Sequence, residues 1–410
     1  MRSQRVFYVF LFLCVIALGA QAVYRAAFND IERTDYTVYT AAGQALLDHR
    51  DMYLAENARG WRYVYPPPFA ILLVPLAQIP LWLGALIWYL LSAAAIGAAV
   101  LMSAALLGDG QEGARKPQLL YGLPLLCVVS LLISGTLRSQ ASPFMYFLMI
   151  AAFYFQLKER PIAAGFSLGC AALLKVFPIV LIVYFVMRRQ WRAVLACAAT
   201  GVLLGIVLPS LYWGWQFNLD QIVRWIEVVG QPAMMQNVDR AQNTDLYGQL
   251  LNTLKPRNQS LESLFLTFGM PPDWTRYAVA ASAVLMLAAM WFAARRRPRG
   301  ADHAARMLAE GLLCGAFICW SLLVTPISET HYYGALLLPL TLLAGYADQY
   351  SPSERHKRLY LTAGAAFMIV VMVLTAVRET SLWRPLCICT LLLWWQCVRL
   401  IGRVPEPAAS

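Results

Sequence analysis

Long apolar stretches alternate with short polar connections through almost the whole chain. Runs at about 6–23, 81–107, 119–136, 143–157, 193–212, 276–294, 307–325, 333–348, 359–377 and 385–402 read as membrane helices; such a helix needs roughly 20 apolar residues. Residues 69–80 are apolar but punctuated by Pro75 and Pro80, and are expected along the membrane interface. Two polar stretches, about 24–80 and 213–275, exceed the other connections in length. The first turns polar at Asn29–Asp35, becomes Tyr-rich, and returns to the bilayer at Tyr65-Pro66-Pro67-Pro68.

Residues 162–187 admit two paths. A single crossing places Lys175 near the bilayer midplane, where a lysine costs roughly 2.5–3.5 kcal/mol. A hairpin broken at Lys175-Val176-Phe177-Pro178 puts that lysine at a tip, with Pro178 supplying the break. The basic connections decide between them. Arg2 and Arg5, Lys158 and Arg160, Arg188-Arg189-Arg192, Arg295-Arg296-Arg297 with Arg299, and Arg355 with Lys357-Arg358 fall on one side only if the hairpin turns back. The excess of Lys and Arg in cytoplasmic loops therefore favours the hairpin. Irregular backbone at membrane depth is tolerated where it lines a cavity. The expectation is an all-α polytopic membrane protein of about 12 membrane segments, forming one integral domain over 1–410. Both termini are expected to be cytoplasmic, and amphipathic helices to lie in the external loops.

Composition agrees. The 410 residues are 60% hydrophobic and 13% charged, against about 25% charged in soluble domains. The net charge of +11 lies largely in short runs between spans, the pattern of topology control and anionic head groups rather than of nucleic-acid binding. The nine cysteines lie mostly in apolar segments, none in the two long polar loops, and read as small buried hydrophobes. The apolar run after Arg5 is longer than a signal-peptide core, so an uncleaved first span is expected despite Ala20-Gln21-Ala22. No metal-ligand spacing and no Gly-rich phosphate loop is visible, and no cofactor is expected.

With the hairpin in place, Arg138, Gln140, Lys175 and His331 fall in or beside short external connections, and with Asp35 of the first long loop they form a set at one depth. One carboxylate among cationic and donor groups suits transfer of a sugar from a lipid phosphate. The departing phosphate is a stable anion and needs only donors to hold its charge, whereas the acceptor hydroxyl needs a base. A glycosidase would require two opposed carboxylates. Each residue has a plainer reading. Asp35 could cap the helix after it, Lys175 could snorkel, Arg138 could meet head groups, and His331 could be an interface histidine. Tyr36, Tyr39, Tyr53, Tyr63 and Tyr65 could form an aromatic belt or stack on sugar. A lipid or solute transporter would also show an interrupted helix, but the missing internal repeat and the acid-opened first loop argue against it; a scaffold for envelope glycan assembly is a third reading.

The residues also resemble a known family. Asp35-Tyr36-Thr37-Val38-Tyr39, then Met52-Tyr53 and Tyr65-Pro66-Pro67-Pro68-Phe69, are similar to the first loop of polyprenol-phosphate-sugar-dependent glycosyltransferases of the C-type (GT-C) fold, family 87, which includes mycobacterial α-1,2-mannosyltransferases. Ser139-Gln140-Ala141-Ser142-Pro143 resembles that family's Gly-Gln-x-Asn motif, with Ser139 and Ser142 replacing Gly and Asn. Leu174-Lys175-Val176-Phe177-Pro178 resembles its Lys-x-x-Pro tip, and Asn258-Gln259-Ser260-Leu261 a second-loop signature. Thr325-Pro326-Ile327-Ser328-Glu329-Thr330-His331-Tyr332 resembles Ser-Pro-Ile-Ser-Trp-x-His-Tyr, with Glu329 where Trp is common. The resemblance implies an inverting hexosyltransferase of the bacterial plasma membrane, with mannose the expected sugar. The donor would be a polyprenyl-phosphate-linked sugar and the acceptor a lipid or glycan hydroxyl on the non-cytoplasmic face. Asp35 and His331 would be catalytic, Asp35 as base. Lys175, Arg138 and Gln140 would bind donor phosphate, with His331 either joining them or pairing with Asp35. Tyr36, Tyr39, Tyr65, Asn258 and Glu329 would contact substrate. Trp213, Trp215 and Trp225 offer an acceptor or lid surface, or interfacial anchors.

Overall fold

The protein is described by a computed structural model covering residues 2–29, 34–107, 118–230, 252–296, 303–351 and 353–404. Asp30 and Glu32 of the first polar opening, residues 231–251 of the second polar stretch, and Arg297 and Arg299 lie outside the described residues. The chain begins with α1 (Arg2–Ala27), α2 (Asp35–Leu47), α3 (Pro67–Ala77), α4 (Leu81–Ala105), α5 (Leu123–Leu137) and α6 (Ser142–Leu157). There follow α7 (Pro161–Leu174), α8 (Ile182–Met187), α9 (Trp191–Val202), α10 (Leu208–Trp213) and α11 (Trp215–Trp225). The C-terminal part holds α12 (Leu261–Thr267), α13 (Pro272–Arg295), α14 (His303–Val324), α15 (Leu337–Tyr350), α16 (Glu354–Ala376), α17 (Arg378–Ser381) and α18 (Pro385–Ile401). The described residues form no β-strand beyond two isolated bridges.

Proline opens many of these helices, at Pro67, Pro143, Pro161, Pro272 and Pro385, where a missing N–H costs nothing. Ser260 and Ser353 cap α12 and α16 through their side chains. Among the described residues six helices are long and apolar enough to cross a membrane: Leu81–Ala105, Leu120–Leu137, Trp191–Trp213, Pro272–Arg295, His303–Val324 and Glu354–Ala376. The third of these runs through a π-turn at Leu203–Val207. Several shorter apolar helices accompany them, so the count of about 12 segments stands as an expectation.

Helix α14 (His303–Val324) is the axis of the bundle. Its apolar stretch is 89% buried, against 17% for α13 and α16. The peripheral helices turn residues such as Leu211, Val284 and Leu285 outward, as expected where lipid replaces water.

The stretch 162–187 is a hairpin. Helices α7 and α9 pack side by side in parallel: Gly165 lies against Ala193 and Ala196, Gly169 against Cys197 and Thr200, and Leu173 against Gly205. Residues 175–190 must therefore run back between them, through a 3₁₀ turn at Phe177–Leu181 and α8. The two glycines make this close approach possible, since a Cβ at Gly165 would stand 2.1 Å from the Ala193 carbonyl oxygen. At the near end Phe177 stacks on Tyr332 at 5.2 Å. At the far end Arg188 pairs with Glu310 at 3.2 Å.

Candidate active site

Four connections meet at the end of the bundle where the hairpin turns. They are the start of α2, the α5–α6 turn, the Lys175 tip, and the 326–332 loop after α14.

Backbone hydrogen bonds fix the first two together. The Asp35 N–H donates to the Arg138 carbonyl at 2.9 Å. Helix α2 begins at Asp35 itself, with Thr34 at the N-cap position, so Asp35 does not cap the helix. Its carboxylate accepts a hydrogen bond from the Gln140 side-chain amide. Gln140 in turn accepts from the Tyr65 hydroxyl at 3.3 Å, which accepts from the Tyr39 hydroxyl at 3.0 Å, which accepts from the Ala141 N–H at 3.3 Å. This closed relay holds the carboxylate in one orientation. The turn that makes it possible needs a left-handed residue, and Ser139 supplies it at φ 53°. The family motif's glycine at this position has a physical reason.

Lys175 does not snorkel. It is buried, donates to the Ser142 hydroxyl at 3.2 Å, and lies over the rings of Tyr332 at 4.1 Å and Tyr65 at 5.2 Å. Ser142 stands where the family motif has Asn, so a hydroxyl here receives the lysine.

The 326–332 loop is held by the second-loop signature. Asn258 donates to the Pro326 carbonyl at 2.9 Å and accepts from the Ser328 N–H at 2.8 Å. Gln259 N–H donates to the Ser328 carbonyl at 2.8 Å, and Thr330 N–H to the Arg257 carbonyl at 3.0 Å. Asn258 is therefore a buried strut for the loop. His331 is buried, with Nδ1 3.5 Å from Glu329 Oε2. That nitrogen makes no hydrogen bond among the described residues, so Glu329 is near it without being bonded to it. The carboxylate beside His331 is that of Glu329.

The charges explain the titration. Burial is the largest influence on Asp35 and raises its carboxyl to about 6; Lys175 pulls it down, Glu329 pushes it up, and Gln140 and Arg138 pull it down. Burial, reinforced by Lys175, Arg138 and Arg257, holds His331 well below the ordinary imidazole value. Burial and the surrounding cations thus favour the neutral imidazole, which can donate or accept a hydrogen bond.

Not every sequence-predicted residue joins this group. Asp35, Arg138, Gln140, Lys175, Tyr39, Tyr65, Glu329 and His331 do. Tyr36 instead packs into the groove over Gly84 and beside Trp88, in the contact between α2 and α4. Three cations went unmarked in the sequence. Arg257, Glu329, Asp35 and Arg25 all act electrostatically on Arg138, and Lys255 responds to Glu329 and Arg257. The signal for two of them was present: Lys255-Pro256-Arg257 directly precedes Asn258. Arg25 ends the first apolar run and carried no comparable signal. Trp225 is a strut as well, donating to the Val64 carbonyl at 3.3 Å, while Arg224 pairs with Asp51 at 3.1 Å. Both tie α11 to the first loop. Among the described residues no group of His, Cys, Asp and Glu converges to hold a metal ion.

A helical, multi-pass membrane protein that gathers one relay-held carboxylate and several cations at one end has the architecture of a membrane-embedded transferase. The family model for glycosyltransferase family 87 matches residues 63–326, and the chain belongs to that family; it is a membrane hexosyltransferase. The chain is 27% identical, over 94% of its length and 86% of the relative's, to a polyprenol-phosphate-mannose-dependent alpha-(1-2)-phosphatidylinositol mannoside mannosyltransferase of Mycolicibacterium smegmatis. It is 27% identical over 80% of its length, and 70% of the relative's, to the corresponding phosphatidylinositol pentamannoside mannosyltransferase of Mycobacterium tuberculosis. Among solved structures, apo ArnT from Cupriavidus metallidurans aligns with 98% of this chain and 78% of its own, at 15% identity and a TM-score of 0.43.

Proposed function

We propose that this enzyme transfers mannose from a polyprenyl-phosphate-linked donor to an acceptor hydroxyl on the non-cytoplasmic face, with inversion at the anomeric carbon. The observation that carries the reading is the convergence of Asp35 with Lys175 and Arg138. Asp35 takes the acceptor's hydroxyl proton. The acceptor oxygen attacks the anomeric carbon from the face opposite the phosphate. The bond from that carbon to the phosphate oxygen breaks, and its electron pair leaves with polyprenyl phosphate. Lys175, Arg138 and the Gln140 amide stabilise the charge that collects on the departing oxygens. Neutral His331 contributes a hydrogen bond to phosphate or acceptor. Tyr39 and Tyr65 hold the base in place, and Glu329 faces the acceptor.

The sugar and lipid are inferred from the relatives' substrates, and the C-type fold accords with a carboxylate at the end of a helical bundle. The side bearing Asp35 is taken as external because the basic connections gather at the other end. The test uses full-length enzyme in nanodiscs with radiolabelled polyprenyl-phosphate mannose and, in parallel, the glucose analogue. Mannose incorporation into membrane glycolipid, absent with Asp35→Asn, is the expected result. Preference for glucose would overturn the choice of sugar, and undiminished transfer by the variant would remove Asp35 as base.

A further inference from the structure

One cavity lies away from the candidate active site. It opens at the far end of the hairpin, between α8, α13 and α14, with a volume of about 230 Å³. Its lining includes Arg188, Arg189, Trp291, Arg295, Leu313 and Phe317. Leu313 stands twelve residues before Thr325, so the cavity floor is roughly 18 Å along α14 from the 326–332 loop, at 1.5 Å per residue. The floor is apolar and the mouth is ringed by guanidinium groups.

Those groups are not alike. Arg188 has a carboxylate partner in Glu310, which also accepts from the Tyr184 hydroxyl at 2.8 Å. Arg189 and Arg295 pair with no carboxylate among the described residues. The Arg295 guanidinium lies 4.5 Å from the Trp291 ring centre, which orients it at the rim. Two uncompensated, exposed arginines above an apolar slot match an amphiphile with an anionic head and a hydrocarbon tail. A free anion would have no use for Leu313 and Phe317, and a neutral lipid none for the arginines.

We propose that this slot is a binding site for an anionic glycerophospholipid of the leaflet opposite the candidate active site. The phosphate and its anionic head group engage Arg189 and Arg295, and one acyl chain lies over Trp291 toward Leu313 and Phe317. The lipid is a bound structural ligand rather than donor or acceptor, and it braces the base of the hairpin whose tip carries Lys175.

Quenching of Trp291 by brominated lipid tests this in full-length protein reconstituted in nanodiscs. Trp291→Phe supplies the signal to be subtracted. Brominated phosphatidylglycerol is expected to outcompete brominated phosphatidylcholine roughly 5- to 30-fold, from about 1 kcal/mol for each arginine near an anionic lipid. The double variant R189Q/R295Q should bring the ratio close to one, and R189K/R295K should retain most of it. Millimolar inorganic phosphate should not displace the brominated lipid. A ratio near one in the native chain, an unchanged ratio in R189Q/R295Q, or displacement by inorganic phosphate would each overturn the proposal. Both arginines are exposed, so the variants test binding rather than folding.

Discussion

Replacing Asp35 by Asn separates the catalytic from the structural consequences of this buried carboxyl. Asn preserves the shape and keeps an oxygen for the Gln140 amide, but it can neither carry charge nor take a proton. Burial raises the Asp35 carboxyl from 3.8 to about 6. At 1.36 kcal/mol per pKa unit, holding it ionised in the folded protein costs about 3 kcal/mol relative to the unfolded chain. The sign follows from proton binding. Below the unfolded value both states are protonated and the cost is absent. Between that value and about 6 the folded protein holds a proton the unfolded chain has released, so stability falls as pH rises; above about 6 the loss is complete. Asp35→Asn should therefore be more stable than the native enzyme by up to about 3 kcal/mol at about pH 8, and the gain should vanish near pH 4. Over the same range the native enzyme should gain activity as pH rises through about 6. The variant should lose about 10²–10⁴-fold, as removal of a general base does. Thermal unfolding in nanodiscs at both pH values, with radiolabelled sugar transfer on the same samples, reads both effects. A variant that transfers sugar within tenfold of the native rate, or a native profile flat across pH 5 to 8, would refute the reasoning.

Other outcomes follow from neighbouring contacts. Lys175→Ala should lower transfer by about 10²–10³-fold, the cost of losing one donor to a developing oxyanion, with Lys175→Arg only partly rescuing it in single-turnover assays. Ser139→Gly relieves a left-handed residue and should raise the melting temperature, for a gain of about 0.5–1 kcal/mol, without loss of activity. Gly165→Val places side-chain atoms on the Ala193 carbonyl and should destabilise by about 3 kcal/mol or more, visible as loss of monodisperse protein on size exclusion. Arg384 is buried and donates to the Lys255 and Leu254 carbonyls at 2.7 and 3.0 Å and to the Thr267 hydroxyl at 3.1 Å. Arg384→Met should leave these unpaired, costing about 1–3 kcal/mol each at most, and raise the KM for donor by loosening the loop that carries Lys255 and Arg257.

Much of the fold was legible because a membrane helix announces itself by length and apolarity. The expected run at 276–294 is helix Pro272–Arg295, and that at 385–402 is Pro385–Ile401. The expected run at 333–348 is the exception in detail: it opens as a 3₁₀ segment, Thr330–Leu336, before α15, because irregular backbone is what turns His331 inward. The hairpin at Lys175 was legible from the one-sidedness of the basic connections, a property of the whole chain rather than of local propensity. The site was only partly legible. Asp35, Lys175 and His331 stood out as ionisable residues at membrane-adjacent turns. Lys255 and Arg257 were marked only by standing directly before Asn258, and Arg25 not at all, because a cation at the end of a span carries no sign of where it will be aimed.

The order of residues by itself determined a helical membrane protein, the return of the chain at Lys175, and a small set of ionisable side chains near one surface. Each follows from hydrophobic length, proline placement and charge count, which tertiary packing does not alter. Packing alone decided that Tyr36 fills the groove over Gly84 while Tyr39, three residues along the same helix, joins the relay to Asp35. It also decided that His331 stands beside Glu329 and that Asn258 braces the loop bearing both. These depend on which helix faces meet, and on burial that moves a carboxyl toward neutrality, and neither is written in spacing along the chain.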